Sequence, residues 1–184
     1  DKNIYLSIIL KSINNNYLIP LTDVVACSSI LKSMGELYNL DCKIKWPNDI
    51  LINNNKISSV KSEIIGKGSG IILSLNINVN MEEKIENLKT TSIKIEINKE
   101  VEREILIGTI LNNIEYHYVE MISTGKAYHS VDIYNENLLF NNKEVGVIKR
   151  GRKTVRKAVA KNIDSDGWLQ VINEKGEEEI LDPG

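Results

Sequence analysis

The pattern of apolar and polar residues predicts a first group of strands built around one helix. The run Ile4–Leu10 has the length of a strand, and apolar residues recur at helical spacing from Val24 to Met34, which predicts an amphipathic helix over roughly residues 20–38. Short apolar runs separated by Asn- and Gly-rich turns predict further strands near residues 42–46, 50–52, 56–65 and 71–79. Strands that follow one another through tight turns indicate an antiparallel meander.

The second half of the chain predicts a long helix and then a small β-domain. Residues 81–98 are polar and are expected to be irregular, and a helix is expected over about 99–122. Five short strands are then predicted, which suits a small SH3-like barrel: Leu138–Phe140, Val145–Ile148, Val155–Ile163, Trp168–Ile172 and Glu178–Leu181. Because strands and helices are grouped and do not alternate, we expect an α+β fold with domains at 1–130 and 131–184.

Composition narrows the class of protein. The 184 residues carry a net charge of −2, and no apolar run approaches the length of a membrane span. The first residues lack a secretory signal, and Cys27 and Cys42 show no metal or redox spacing. The sequence therefore predicts a cytoplasmic protein with free thiols, no zinc site and no membrane partner.

One basic segment leaves a second class of function open. Near-neutral charge argues against nucleic acid as a partner, but Lys149–Lys153 is strongly basic and is continued by Arg156 and Lys157. The segment predicts either a solvated hairpin at 149–157 or a non-catalytic module that binds phosphates.

The segment Lys45–Asp49 carries the most informative chemistry. Its sequence is Lys-Trp-Pro-Asn-Asp, in which proline fixes the backbone and the Asn and Asp offer an amide and a carboxylate at a turn. Lys56 follows across an Asn-rich turn, so a hairpin would bring it near Asp49, where a cation could neutralise a phosphoryl group. The alternatives are an ordinary hairpin with Trp46 in the core and a surface lysine.

Asn76, Asn78 and Asn80 alternate with apolar residues. Period-two alternation places their amides on one face of a strand, where they could bind the polar edge of a ligand or meet solvent.

These motifs together resemble the biotin protein ligases. Lys45–Asp49 is similar to the Lys-Trp-Pro-Asn-Asp signature of that family at every position, and Lys56 falls where the family has its characteristic lysine. Supporting similarities lie in Ile4–Ser7, Ile77–Asn80, Thr91-Ser92 and the C-terminal strands. The resemblance implies the catalytic domain of such a ligase followed by its C-terminal β-domain.

The resemblance also implies a reaction and a set of site residues. Biotin and Mg-ATP would form biotinyl-5′-AMP, and a lysine of a biotin carboxyl-carrier domain would then take the biotin. Lys56 would be the catalytic residue, Asp49 would also help to hold Mg²⁺, and a homodimer is allowed. The implied biotin- and nucleotide-binding residues are Trp46, Asn48, Asp49, Lys56, Ser59 and Asn78.

Three departures accompany the resemblance. Ser59 stands where the family has a glycine, and Asn76 lies in a strand where the family also has glycines. The family's Gly-Arg-rich loop is expected upstream of Asp1, so the chain is expected to be an incomplete form of the ligase. A lipoate or octanoate ligase or transferase of the same fold is the alternative enzyme.

Overall fold

The computed structural model describes residues 2–11, 18–66, 70–83, 88–148 and 154–183. The elements in chain order are β1 (Ile4–Lys11), α1 (Ile19–Tyr38), β2 (Lys43–Lys45), β3 (Asp49–Ile52), β4 (Asn55–Ile65), β5 (Gly70–Ile77), α2 (Ile93–Ile97), α3 (Arg103–Thr124), α4 (Tyr128–Glu136), β6 (Glu144–Ile148), β7 (Val155–Ile163), β8 (Leu169–Asn173) and β9 (Glu178–Leu181). They form two antiparallel sheets with helices packed on the first, so the predicted α+β class is confirmed.

The first sheet has five strands in the order β1-β5-β4-β3-β2, and α1 packs against its central strands. Alternate residues of the strands, such as Leu73, Leu75 and Ile77 of β5, point toward α1 and are buried. We call this the inner face. The opposite, outer face is open, and Tyr5 and Ile9 of β1 are 73% and 62% exposed there.

The helix α1 is buried on most sides because α3 and α4 cover the side away from the sheet. Its serines are compatible with burial because each hydroxyl donates to a backbone carbonyl. Ser29 Oγ donates to Val25 O at 2.7 Å, and Ser28 Oγ donates to Ser130 O of α4 at 2.7 Å. Cys27 is also buried there, and both cysteines of the chain are free thiols, as predicted.

The C-terminal sheet has four strands in the order β6-β7-β8-β9. The predicted strand at Leu138–Phe140 is wrong: these residues form a turn in which Leu138 makes one isolated bridge to Ile44 at the edge of the first sheet. The segment therefore joins the two sheets and does not extend the second. The SH3-like barrel remains a prediction.

Two helices were not expected from the apolar pattern. Within the supposedly irregular 81–98 segment, Ser92 caps α2 by accepting a hydrogen bond from Ile95 N at 3.2 Å. The helix α4 occupies residues 128–136, so the division expected after residue 130 falls inside it, while the second sheet starts at Glu144. That division remains a prediction.

Candidate functional site

A row of polar side chains crosses the outer face of the first sheet. The antiparallel register places Lys45 opposite Asp49, Asp49 opposite Ser59, Ser59 opposite Asn76, and Asn76 opposite Tyr5. Residues directly opposite one another on antiparallel strands have neighbouring side chains. Five strands thus contribute one residue each to what we call the cross-strand row.

The signature turn between β2 and β3 is held at successive residues. Trp46 Nε1 donates to Gly167 O of the C-terminal unit at 3.4 Å, and Pro47 O accepts from the Tyr134 hydroxyl at 2.8 Å. Asn48 O accepts from Val60 N at 3.0 Å. The turn that precedes Asp49 is therefore fixed by α4, by β4 and by a C-terminal loop.

Lys56 and Asp49 meet in the structure. The Nζ of Lys56 lies 2.5 Å from Asp49 Oδ1, and the two side chains are 41% and 27% exposed. Asn53 and Asn54 make this contact possible, because both adopt positive φ in the tight turn from β3 to β4. Asparagine tolerates that conformation better than most residues.

A cavity of about 390 Å³ lies beside this ion pair. The segment 88–91 contributes one of its sides, since Lys56 N donates to Lys89 O at 2.7 Å and Thr91 N donates to Lys56 O at 2.9 Å. Thr90 Oγ1 is buried and has no hydrogen-bond partner among the described residues. The lining residues are Lys56, Ile57, Ser58, Ser59, Asn76, Asn78, Leu88 and Thr90.

The three alternating asparagines have different environments. Asn76 is exposed in β5, and Asn78 lies just beyond the strand, where its Nδ2 donates to Thr91 O at 3.0 Å. Asn80 is buried and bonds Val101 through both its amide nitrogen and its oxygen, at 2.9 Å each. Asn76 and Asn78 line the cavity. Asn80 instead fixes the backbone of Val101, just before α3.

A partly buried carboxylate that sequence reasoning missed lies behind the turn. Asp23 of α1 accepts a hydrogen bond from Ser62 Oγ at 2.5 Å, and burial raises the pKa of Asp23 to about 6. It lines a larger cavity of about 960 Å³ that includes Pro47, Asn48 and Trp168, at the junction with the C-terminal unit. A polar residue on the buried side of α1 was the available signal.

The described part of the basic segment is neutralised by carboxylates. Both Nη atoms of Arg156 contact Glu179, at 2.5 Å each, and Lys157 Nζ lies 2.8 Å from Glu144. Hydrogen bonding to Glu179 raises the pKa of Arg156. Residues 149–153 lie outside the described residues.

The described residues offer isolated carboxylates, not a cluster of metal ligands. No group of three or more His, Cys, Asp or Glu side chains among them is placed to hold a metal ion. Across the same ranges, no helix has both the length and the apolar character needed to cross a bilayer.

Comparison with known proteins connects this geometry to one family. Residues 1–81 match the model of the biotin/lipoate A/B protein ligase family. The chain is 25% identical over 114 residues to the bifunctional ligase/repressor BirA of Bacillus subtilis, and 25% identical over 130 residues to that of Bacillus spizizenii. These matches cover 58% and 66% of the chain but only 35% and 40% of the two relatives.

Solved structures agree with the fold over nearly the whole chain. Biotin protein ligase from Aquifex aeolicus in complex with biotin and ATP superposes with a TM-score of 0.85 at 19% identity, covering 98% of this chain and 75% of that one. The Leishmania major enzyme in complex with biotinyl-5-AMP gives a TM-score of 0.62 at 17% identity, with 98% and 78% covered. Residues 1–81 thus match the biotin/lipoate A/B protein ligase family, and the chain has the fold seen in the biotin protein ligase structures.

Proposed function

We propose that the protein activates biotin with ATP and transfers it to a lysine of a carrier domain. The observation that carries this proposal is the 2.5 Å contact between Asp49 and Lys56 beside the 390 Å³ cavity that Lys56 lines. A fixed cation beside a cavity with unpaired hydrogen-bonding groups suits a reaction that brings two anions together.

In the first step, a carboxylate oxygen of biotin attacks the α-phosphorus of ATP and pyrophosphate leaves. Lys56 then lies where it can donate to the biotin carboxylate and to the α-phosphate, and it stabilises the charge that accumulates between them. In the second step, the carrier amine attacks the carbonyl carbon and AMP leaves with the bridging oxygen. Both steps depend mainly on position and charge neutralisation.

Asp49 has two roles in this proposal. Its carboxylate holds the Lys56 ammonium on the outer face before the substrates bind, and it would be the protein ligand of the Mg²⁺ that accompanies the nucleotide. One protein carboxylate is sufficient, because Mg²⁺ takes most of its other ligands from phosphates and water. Asn48, Asn78 and Trp46 are proposed to shape the nucleotide side of the site, and Ser59 the acid side.

The similar proteins support biotin as the acid. The Aquifex aeolicus ligase has biotin and ATP bound, and the Leishmania major ligase has biotinyl-5-AMP bound. The chain spans 35% to 40% of its curated relatives, so the activity of a complete protein is included in the proposal.

A lipoate or octanoate ligase or transferase is the second candidate. The family that matches residues 1–81 includes lipoate ligases, and Ser59 and Asn76 place side chains on the floor of the cavity. Side chains at these positions reduce the space for a bicyclic acid, whereas a linear acyl chain fits a narrower channel. The acid is therefore the property to measure.

Pyrophosphate release with biotin, lipoate or octanoate tests the proposal. We expect release to depend on biotin and to fall about 100-fold in Lys56→Ala, because the group lost is the donor aimed at the developing charge. Lys43→Ala is the matched control: Lys43 lies in the same sheet, is 41% exposed like Lys56, pairs with Asp41 at 2.8 Å and lines neither the 390 Å³ nor the 960 Å³ cavity. Release with lipoate or octanoate but not biotin would establish the second candidate, and equal rates in wild type and Lys56→Ala would remove the role of Lys56.

A further inference from the structure

Tyr134 of α4 is the buried side chain that contacts the signature turn from behind. Its side chain is fully buried, and its hydroxyl donates to Pro47 O at 2.8 Å. Burial raises the pKa of Tyr134 well above its ordinary value, so the hydroxyl stays protonated and remains a donor. The hydrogen bond ends two residues before Asp49.

The helix that carries Tyr134 is itself fixed on two sides. The side-chain amide of Asn135 pairs with the backbone of Ile163 through two hydrogen bonds. Its Oδ1 accepts from Ile163 N at 2.8 Å, and its Nδ2 donates to Ile163 O at 3.1 Å. On the other side, Ser130 O accepts from Ser28 Oγ of α1 at 2.7 Å. The hydroxyl of Tyr134 is therefore presented to the turn by a rigid support.

The cation of the site depends on the position of that turn. Lys56 of β4 contacts Asp49 of the neighbouring strand β3, and Asp49 is the first residue of β3 after the turn. A displacement of the Pro47 carbonyl would move Asp49 relative to Lys56 and to the cavity. Small displacements of a charged group cost large factors in rate when the reaction depends on alignment.

We propose that Tyr134 is a positioning residue for the acid activation proposed above, on which this inference rests: its hydroxyl fixes the signature turn so that Asp49 holds Lys56 at the cavity. Tyr134 touches neither substrate. It acts through Pro47 O, and its contribution is to the rate of the chemical step and not to substrate affinity.

Tyr134→Phe tests the proposal because it removes the hydroxyl and keeps the ring. We expect kcat for biotin-dependent pyrophosphate release to fall about tenfold, with KM for biotin and ATP changed by less than about twofold. The matched control is Tyr118→Phe in α3, whose hydroxyl reaches Lys11 O at 3.5 Å, far from the turn. The control is expected to keep the wild-type kcat.

A second measurement reports the turn without requiring activity. The chain has two tryptophans, so Trp168→Phe leaves Trp46, in the turn itself, as the sole reporter. In that background, Tyr134→Phe is expected to raise acrylamide quenching of Trp46 about 1.5-fold through greater local opening, while Tyr118→Phe leaves it unchanged. Circular dichroism at the assay temperature confirms that both variants are folded.

The outcomes separate this inference from the proposed function. Unchanged quenching and unchanged kcat in Tyr134→Phe would overturn the positioning role. A fall in kcat accompanied by a rise in KM of similar size would assign Tyr134 to general stability and would also overturn the positioning role. So would an equal fall in kcat in Tyr118→Phe. If the wild-type chain activates no acid, the proposed function fails, while quenching of Trp46 still decides whether Tyr134 fixes the turn.

Discussion

At the scale of single residues, Asp23 makes the stability of the protein depend on pH. Its pKa is raised by burial from an ordinary 3.8 to about 6, so the folded state binds its proton more tightly than the unfolded state does. Stability from this group is fully present below pH 3.8 and is lost as pH rises through 6. The total loss is roughly 3 kcal/mol, from the linkage between proton binding and folding.

Asp23→Asn should therefore stabilise the protein at high pH. The amide oxygen can still accept from the Ser62 hydroxyl, whereas the charge that burial disfavours is gone. Urea unfolding at pH 8 should show a gain of about 2–3 kcal/mol that shrinks toward zero at pH 4. A gain of the same size at both values would contradict the assignment.

His117 of α3 gives the stability of the protein a pH dependence opposite in sign to that of Asp23. It is buried, and neither ring nitrogen has a hydrogen-bond partner in the described part of the chain. Burial lowers the pKa of His117 from 6.5, so the stability from its neutral form is present above pH 6.5 and is lost as pH falls through the lowered value.

We expect His117→Leu to be more stable than wild type by about 1 kcal/mol at pH 7, because it removes two unpaired buried polar atoms. The gain should grow below pH 6, where the histidine would otherwise become charged. Thermal unfolding from pH 5 to pH 8 measures it. A gain that is independent of pH would show that His117 has the same pKa in the folded and unfolded states, and would contradict the lowering of its pKa by burial.

At the scale of elements, short-range patterns in the sequence predicted the strands and the turn of the site. Asn53 and Asn54 stand where a two-residue turn needs positive φ, and the apolar alternation on both sides sets the register that brings Lys56 toward Asp49. These features depend only on residues close together in sequence, so they can be predicted from the sequence alone. The same reasoning placed Trp46 at the end of a strand, next to the turn, but did not reveal its partner, Gly167.

The helix α4 and its contacts could not be predicted in the same way. Only Ser130 and Tyr134 of its nine residues are buried, so the helix lacks a clear apolar stripe. Tyr134 lies 87 positions from Pro47 in sequence, and no local pattern indicates that pairing. Contacts between residues so far apart in sequence follow from how the helices and sheets pack, which the local sequence pattern does not specify.

Asn135 is predicted to be a main connection between α4 and the C-terminal sheet. Asn135→Ala would leave both Ile163 N and Ile163 O without their partner, and we expect a loss of about 2 kcal/mol in the free energy of unfolding. Asn137→Ala, which removes a hydrogen bond to Ile133 O within the same chain segment, serves as the control and should cost less. Equal losses of stability in the two variants would contradict the role of Asn135 as a main connection between α4 and the C-terminal sheet.

At the scale of the whole molecule, the contacts across the junction predict that the two sheets unfold together. Trp46 follows the edge strand of the first sheet and Trp168 precedes β8 of the second, so the two tryptophans report the junction from its two sides. The variants Trp46→Phe and Trp168→Phe should each show a fluorescence transition that coincides with loss of the circular dichroism signal. Two separate transitions within either variant would show that the units unfold independently.

The central claim is that Lys56, held by Asp49, meets an activated acid on the outer face of the first sheet. Calorimetric titration with a non-hydrolysable biotinyl-adenylate tests it most directly, because the ligand carries both groups that Lys56 is proposed to contact. Lys56→Gln should weaken binding by about 10- to 100-fold, as expected for loss of charge-assisted hydrogen bonds, and Lys43→Gln should bind like wild type. Equal affinity in wild type and Lys56→Gln would contradict the claim.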